Sequence, residues 1–206
     1  MRKLSWSNPE TTDYLEKELH NGGVVLAEGD TVLGLLVDVS EKGVAHLDCI
    51  KNRSKKPYLI LIGSPQKVFD FIEIDQKKIF QVEKLINICW PGPVTLIFRA
   101  KQGVCEQARS EDGTIALRVP DHAGLLQLLA RFEALFSTSA NKGGAPVPEA
   151  LEQVDSHISD SVACVVTNDE KSESTLPSTI IDCTGDKLKV VREGAFDSRQ
   201  LADFMD

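Results

Sequence analysis

Residues 134–144 read Ala-Leu-Phe-Ser-Thr-Ser-Ala-Asn-Lys-Gly-Gly, an apolar segment followed at once by a run of hydroxyl, amide and glycine residues. The apolar part predicts a buried strand, and the polar part predicts a loop where that strand ends. Open α/β sheets bind ligands at such loops, and phosphate is the usual partner of their backbone N–H groups. The stretch therefore predicts an α/β fold with an anion-binding sheet edge.

Three further clusters of cations and hydroxyl groups lie far from this loop in the sequence. They are residues 51–53, residues 114–118, and residues 177–179 followed by Arg192. The first belongs to a patch of four cations in six positions, Lys51, Arg53, Lys55 and Lys56. The patch suits an anionic ligand, but it also suits a solvated helix end, where cations favour the helix dipole. The charge pattern alone leaves both interpretations open.

Length and composition predict an ordinary globular chain. The 206 residues, 42% of them hydrophobic and 26% charged, predict one domain over 1–206, with a motif-bearing core at about 10–196 and a short tail at 197–206. A net charge of −8 disfavours a general nucleic-acid binder. No apolar run reaches the roughly 18 residues of a membrane span, and the N-terminus lacks a secretory pattern. We therefore expect a cytoplasmic protein.

The five cysteines are scattered and contain no C-x-x-C pair. Their wide spacing argues against a disulfide framework and against a zinc site, so no protein-held metal is predicted. We expect reduced thiols that are buried as small apolar groups.

Apolar periodicity predicts helices and strands that alternate along the chain. Together they predict an α/β fold, a single-domain twisted mixed β-sheet with flanking helices. The polar segment 168–176 is predicted to be a loop that could cover a site. The predicted helices begin near residues 8, 40, 64, 74, 123 and 197, and the predicted strands cover 24–27, 32–39, 58–62, 94–98, 114–119, 162–166, 178–182 and 188–192.

No standard nucleotide fingerprint and no Ser–His–acid pattern is present in the sequence. Catalysis without such groups has to rest on positioning and charge stabilisation. Phosphoryl and nucleotidyl transfer proceed in that way.

Several short motifs occur in one order along residues 23–194. They are D-T-V-L-G-L at 30–35, K-N-R at 51–53 followed by Pro57 and an apolar strand, W-P-G-P-V-T at 90–95, R-V-P at 118–120, S-T-S-A-N at 137–141, P-S-T-I-I-D at 177–182 and R-E-G at 192–194. In this order they resemble the YrdC-like family of threonylcarbamoyl-AMP synthases. The chain departs from the family pattern at Glu28, Gly29, Leu33, Leu61 and Gly143.

The resemblance implies a YrdC-like fold and a reaction of L-threonine, bicarbonate and ATP that gives threonylcarbamoyl-AMP and pyrophosphate, with Mg²⁺ on the phosphates. It implies a cytoplasmic role in forming threonylcarbamoyladenosine in tRNA, with tRNA-modification proteins downstream and a possible weak contact with tRNA or double-stranded RNA. It also implies site roles: Lys51 and Arg53 in catalysis; Arg53, Lys56, Thr114, Ser139, Asn141 and Arg192 in ATP binding; and Thr31, Arg118 and Ser178 in threonine binding.

Two other functions remain open at this point. The first is a divergent relative that binds nucleotide or structured RNA without turnover, in which case RNA affinity falls steeply with salt. The second is a carbamoyl-transfer module akin to the YrdC-like part of hydrogenase-maturation proteins. Residues such as Arg118 and Ser178 could also be purely structural, as an ion pair and a strand residue.

Overall fold

The computed structural model describes residues 2–52, 57–169 and 176–204. Within these ranges the chain forms one mixed sheet of ten strands, with α-helices and short 3₁₀ segments around it. The strands are β1 (Arg2–Ser5), β2 (Val25–Ala27), β3 (Gly34–Asp38), β4 (Leu59–Leu61), β5 (Val94–Arg99), β6 (Thr114–Arg118), β7 (Leu135–Ser139), β8 (Cys164–Thr167), β9 (Thr179–Asp182) and β10 (Lys189–Arg192). The helices are α1 (Thr11–His20), α2 (Glu41–Lys51), α3 (Val68–Phe71), α4 (Ile79–Cys89), α5 (Ala123–Leu129) and α6 (Ser156–Ser161).

The strand order is β1-β8-β2-β3-β7-β4-β6-β5-β9-β10. Parallel pairs join β1 to β8, β2 to β8, β4 to β6 and β5 to β9. The remaining neighbours pair antiparallel. The predicted α/β class with a mixed sheet and flanking helices is confirmed.

Side-chain caps at Ser40 and Asp75 lie close to two of the predicted helix starts, whereas α1 begins at Thr11 after Glu10 without a side-chain cap. Ser40 caps α2, because its Oγ accepts a hydrogen bond from the Gly43 N–H at 3.1 Å. Asn52 ends α2 in the left-handed conformation, with φ of 46°. The Asp75 carboxylate caps the 3₁₀ turn Gln76–Lys78 that leads into α4. In the described ranges no helix is both long and apolar enough to cross a membrane.

The alternation of side chains along the strands gives the sheet two different faces. One face carries the larger apolar core, to which β4, β5, β6 and β7 contribute Ile60, Leu96, Leu117 and Phe136. The opposite face carries a smaller core, in which Leu36, Leu61 and Leu135 pack with residues of α1 and α5. The polar residues of the predicted site lie beyond this smaller core.

Strand β7 is longer than the sequence predicted. Residues 137–139 were expected in a loop, but Ser137, Thr138 and Ser139 pair with Leu36, Leu35 and Gly34 of β3. Because β3 and β4 flank β7, its backbone groups find partners in the sheet even where its side chains are polar. The hydroxyl groups are therefore presented from a strand and alternate between its two faces.

Strand β1 and helix α6 were not predicted. Strand β1 pairs in parallel with β8 at the edge of the sheet, where its side chains are exposed or half-buried. Helix α6 has six residues and begins where the Asp155 side chain accepts from the His157 N–H. Both elements are too short and too polar to give a clear apolar period.

The five cysteines are free thiols in different environments. Cys89 and Cys164 are buried, and burial raises the pKa of each thiol to about 12. The expectation that all five are buried is confirmed for Cys89 and Cys164, whereas Cys105 and Cys183 are half-buried and Cys49 is exposed on α2.

Candidate active site

A cavity of about 390 Å³ opens on the sheet face that carries the smaller core. Strands β3 to β7, β9 and β10 contribute its walls, and none of its described lining residues lies in a helix. Its polar wall comes from alternate strand positions, because each motif places every second side chain on this face. Those strand positions are Thr95, Arg118, Ser137 and Ser139.

Arg118 lies at the end of β6 and is almost fully buried. Its Nε–H donates to the Gly92 carbonyl at 3.0 Å, and Nη1 donates to Thr31 Oγ1 at 2.9 Å. Its Nη2 forms an ion pair with Asp30 Oδ1. The turn after Trp90 and the loop before β3 thus fix the guanidinium, and Arg118 and Thr31 both line the cavity.

Ser178 and Arg192 lie side by side in the wall of the cavity. The Ser178 hydroxyl is buried and lies 2.8 Å from Thr95 Oγ1. Arg192 donates to the Ser178 carbonyl through Nη2 at 2.8 Å and through Nε at 3.3 Å. Partial desolvation lowers the pKa of the Arg192 guanidinium, yet arginine starts so high that the group stays cationic at neutral pH. A permanent positive charge therefore lies at the rim of the cavity.

The next residue, Thr179, points away from the cavity and connects the P-S-T motif to the segment around Gly194. Its hydroxyl donates to the Phe196 carbonyl at 2.7 Å and accepts from the Gly194 N–H at 3.0 Å. A Cβ at Gly194 would lie 2.2 Å from the Pro177 carbonyl oxygen. The P-S-T and R-E-G motifs therefore meet in backbone contact, which only glycine at position 194 permits.

Lys51 reaches the end of β7 from the last turn of α2. Its buried ammonium donates to the Ser139 carbonyl at 2.6 Å, to the Asn141 carbonyl, and to Asn141 Oδ1 at 3.3 Å. Ser139 Oγ donates to the same Asn141 Oδ1 at 2.6 Å. Lys51 thus holds the strand end that carries Ser139 and Asn141.

Thr114 lies at the start of β6, apart from this group. Its hydroxyl lies 2.6 Å from Ser110 Oγ and 2.8 Å from Asp112 Oδ1. Hydrogen bonds from Ser110 and then from Thr114 lower the pKa of the Asp112 carboxyl. Thr114 is not among the described lining residues of the cavity.

The structure brings most of the predicted residues together. Thr31, Arg118, Ser139, Ser178 and Arg192 line the cavity, and Lys51 and Asn141 lie directly behind Ser139. Arg53 and Lys56 lie outside the described residues, so their predicted roles remain predictions.

Sequence reasoning missed Thr95 and Ser137, which also line the cavity. Both stand inside quoted motifs, and Ser137 is two residues from Ser139 on one strand. The period-two rule applied to those motifs would have identified Ser137.

The positions that depart from the family pattern lie away from the cavity. Leu33 and Leu61 are buried in the apolar cores. The Glu28 carboxylate accepts from the Asn168 N–H at 2.8 Å, and the Glu28 carbonyl accepts from Trp6 Nε1 at 2.8 Å. None of these three residues, nor Gly29, is among the described lining residues.

Two larger cavities carry charges of both signs. One of about 770 Å³ is lined by Asp48, Glu106, Arg109 and Glu111 among others. Another of about 530 Å³ is lined by Asp38, Asp70, Lys101, Arg131 and Glu133 among others. Volume alone would favour them. We nevertheless assign the candidate site to the smaller cavity, because residues of six separate motifs converge there and cations and hydroxyl donors face it.

A polar cavity on an open sheet face, with two arginines and several hydroxyl groups, defines a protein that binds small anionic ligands. The chain belongs to the Sua5/YciO/YrdC family, whose sequence model, described as telomere recombination, matches residues 17–194. A threonylcarbamoyl-AMP synthase of Pseudomonas putida (strain GB-1) is 32% identical over 142 residues, which cover 68% of this chain and 76% of the relative.

Solved structures support the same fold. P. abyssi Sua5 complexed with L-threonine matches with a TM-score of 0.84 at 22% identity, over 98% of this chain and 60% of that chain. E. coli YciO matches with a TM-score of 0.82 at 20% identity, over 96% of this chain and 97% of that chain. This chain therefore spans about three fifths of the Sua5 chain and nearly all of YciO.

Proposed function

We propose that the protein is an L-threonylcarbamoyladenylate synthase, which joins L-threonine, bicarbonate and ATP and releases pyrophosphate. The observation that carries the proposal is the convergence of Thr31, Arg118 and Ser178 with Ser139 and Arg192 on one cavity. The name of the Pseudomonas relative and the threonine complex of Sua5 agree with this function.

L-Threonine binds at the end of the cavity formed by Arg118, Thr31 and Ser178. A guanidinium held rigidly by three partners is pre-organised to bind a carboxylate, so little side-chain entropy is lost on binding. The hydroxyl pair of Ser178 and Thr95 supplies hydrogen-bonding groups for the polar part of a small amino acid.

ATP binds beside the threonine, where Ser139 and Arg192 face the cavity. Arg192 neutralises phosphate charge, and Ser139 donates a hydrogen bond to the nucleotide. Lys51 acts as a positioning residue, because its ammonium contacts the carbonyls of residues 139 and 141. Arg53 and Lys56 remain predicted phosphate ligands, and Thr114 contributes through the local order of β6.

The chemistry needs two bond-forming steps. The ammonium group of the bound threonine first releases a proton to solvent, and the free amine then attacks the bicarbonate carbon with loss of water, which gives an N-carboxy anion. A carboxy oxygen then attacks the α-phosphorus of ATP, and the bond to the β-phosphate oxygen breaks, so that pyrophosphate leaves with the bonding electrons. Fixed cations and donors stabilise the charge that develops in such a transfer.

Mg²⁺ would accompany ATP. Among the described residues no group of three or more His, Cys, Asp or Glu side chains could hold a metal ion. Mg²⁺ commonly binds through substrate phosphates and water, so such a group is not required. The ion would supply neutralisation of phosphate charge.

Mass spectrometry of the product tests the proposal. Incubation with ATP, ¹³C-bicarbonate and L-threonine should give a labelled threonine-dependent adenylate and one pyrophosphate per adenylate. Arg192→Ala should lose this activity, whereas Arg199→Ala should keep it, because Arg199 pairs with Asp197 in the C-terminal segment. ATP binding without a threonine-dependent product would overturn the proposal and favour a relative without turnover.

The adenylate would pass to proteins that modify tRNA, as expected for this family. A direct RNA contact is a separate matter, and the net charge of −8 opposes it. RNA retention that falls steeply with salt, in the absence of turnover, would support that second function.

A further inference from the structure

A buried ion pair lies behind the cavity wall. The Arg118 and Asp30 side chains are only 6% and 11% exposed, and Arg118 Nη2 contacts Asp30 Oδ1. Neither of these two atoms has a further hydrogen-bond partner among the described residues. The second Asp30 oxygen accepts from the Asp121 N–H at 2.8 Å. Each charge therefore depends on the other for compensation.

Counting donors shows what Arg118 still offers to a ligand. A guanidinium carries five N–H groups, and Gly92, Thr31 and Asp30 engage Nε, Nη1 and Nη2. One N–H on each terminal nitrogen is left without a partner among the described residues, and because Nη2 is shielded from solvent, the N–H of Nη1 is the one left to meet a ligand. Thr31 Oγ1 accepts from Arg118, so its own proton is available for donation. Arg118 and Thr31 face the cavity, whereas Asp30 is not among its described lining residues.

The pair changes what this end of the cavity attracts. A carboxylate bound to Arg118 also experiences the negative charge of Asp30, which lies in contact with the same guanidinium and is shielded from solvent. The ion pair therefore attracts a ligand with one negative charge less strongly than an arginine without a carboxylate partner would. An ammonium group next to the carboxylate is attracted by Asp30, and this attraction offsets the repulsion.

We propose that Asp30 is a specificity-determining residue, which sets the cavity to prefer an amino acid in its zwitterionic form over a plain hydroxy-carboxylate of the same shape. The inference rests on the proposed function, because it concerns the threonine end of the same site. Asp30 acts through Arg118 and is a positioning residue rather than a catalytic one.

Two ligands and two variants test this proposal. L-Threonine and its hydroxy analogue, 2,3-dihydroxybutanoate of matching stereochemistry, differ in whether an ammonium group is present. Calorimetric titration should show that the wild type prefers threonine. Asp30→Asn should shift the ratio of the two dissociation constants about tenfold towards the hydroxy analogue, since a buried unit charge several ångströms away is worth at least that factor. Asp121→Asn is the matched control, because it removes an exposed neighbouring carboxylate and keeps the backbone N–H that donates to Asp30.

Each outcome decides the matter. Both dissociation constants of a variant are measured on one protein preparation. A loss of stability in Asp30→Asn therefore affects both of them equally and leaves their ratio unchanged. An unchanged ratio in Asp30→Asn, or an equal shift in Asp121→Asn, overturns the proposal. If Asp30→Asn does not fold, the wild type decides, because equal affinity for the two ligands contradicts a site set for zwitterions. The proposed function fails on a different readout, the absence of threonine-dependent pyrophosphate release.

Discussion

Substitution of Gly194 by alanine should damage both stability and the site. The added Cβ would lie 2.2 Å from the Pro177 carbonyl oxygen and 2.6 Å from the backbone nitrogen of Thr179. Ordinary contacts need roughly 1 Å more, so the segment after β10 has to move away from the start of β9. Overpacking of this kind costs about 1–3 kcal/mol.

The same movement weakens the hydrogen bonds between the two segments. Gly194 N–H donates to Thr179 Oγ1 at 3.0 Å, and Ala195 N–H donates to the Pro177 carbonyl at 2.9 Å. Each such bond contributes about 1 kcal/mol, so loss of both together with the overpacking should lower the free energy of unfolding by roughly 3–5 kcal/mol in total. Because Ser178 lies between these contacts, its hydroxyl should also be displaced from the cavity wall.

Urea unfolding and steady-state kinetics measure the two effects. Gly194→Ala should lower the free energy of unfolding and raise the KM for L-threonine. Gly185→Ala is the matched control, because a Cβ there would lie no closer than 3.4 Å to its nearest neighbour, the Lys187 carbonyl oxygen, and should leave both quantities unchanged. A Gly194→Ala protein as stable and as active as the wild type would refute the account of how these motifs meet.

Three further predictions concern buried groups. Arg118→Ala should lower the free energy of unfolding by about 3–5 kcal/mol in thermal or urea unfolding, because it leaves the Asp30 carboxylate without its ion-pair partner; a loss below 1 kcal/mol would contradict this. Ser139→Ala should raise the KM for ATP in the pyrophosphate assay while Thr114→Val leaves it within about twofold, since Ser139 alone of the two lines the cavity; the reverse order would count against the site. Above pH 9 the unfolded thiol of Cys89 ionises while burial keeps the folded thiol protonated, with its pKa at about 12, so stability falls as pH rises from 9 towards 12. Between pH 8 and pH 10 the wild type should therefore lose roughly 1 kcal/mol more than Cys89→Ala in urea unfolding, and parallel losses would disprove the assignment.

Local signals predicted most of the fold. The cap at Ser40, the turn at residues 90–93 and the apolar runs of β4 to β6 are each specified by neighbouring residues, so sequence alone located them. Strand β1 could not be found in this way, because its four residues become a strand only through pairing with β8. The extension of β7 was missed for a similar reason, since its pairing with β3 outweighs the loop preference of serine.

The convergence of the site residues could be anticipated from the sequence, whereas their contacts could not. Arg118, Ser139 and Arg192 line one cavity, as the order of the motifs indicated, and their roles stay predictions. An ion pair of Arg118 was considered as an alternative, but its partner Asp30 was not identified, because Asp30 lies in a loop 88 positions earlier in the chain. Lys51 was likewise predicted to bind an anion because it is a cation. Its actual carbonyl partners depend on how α2 packs against β7.

A crystal structure with L-threonine and a non-hydrolysable ATP analogue tests the location of the site most directly. The account predicts that the threonine carboxylate lies against Arg118 and Thr31, with the phosphates between Ser139 and Arg192, in the cavity of about 390 Å³. Clear density for either ligand in the cavity of about 770 Å³ beside Asp48 and Glu106, with the smaller one empty, would contradict it.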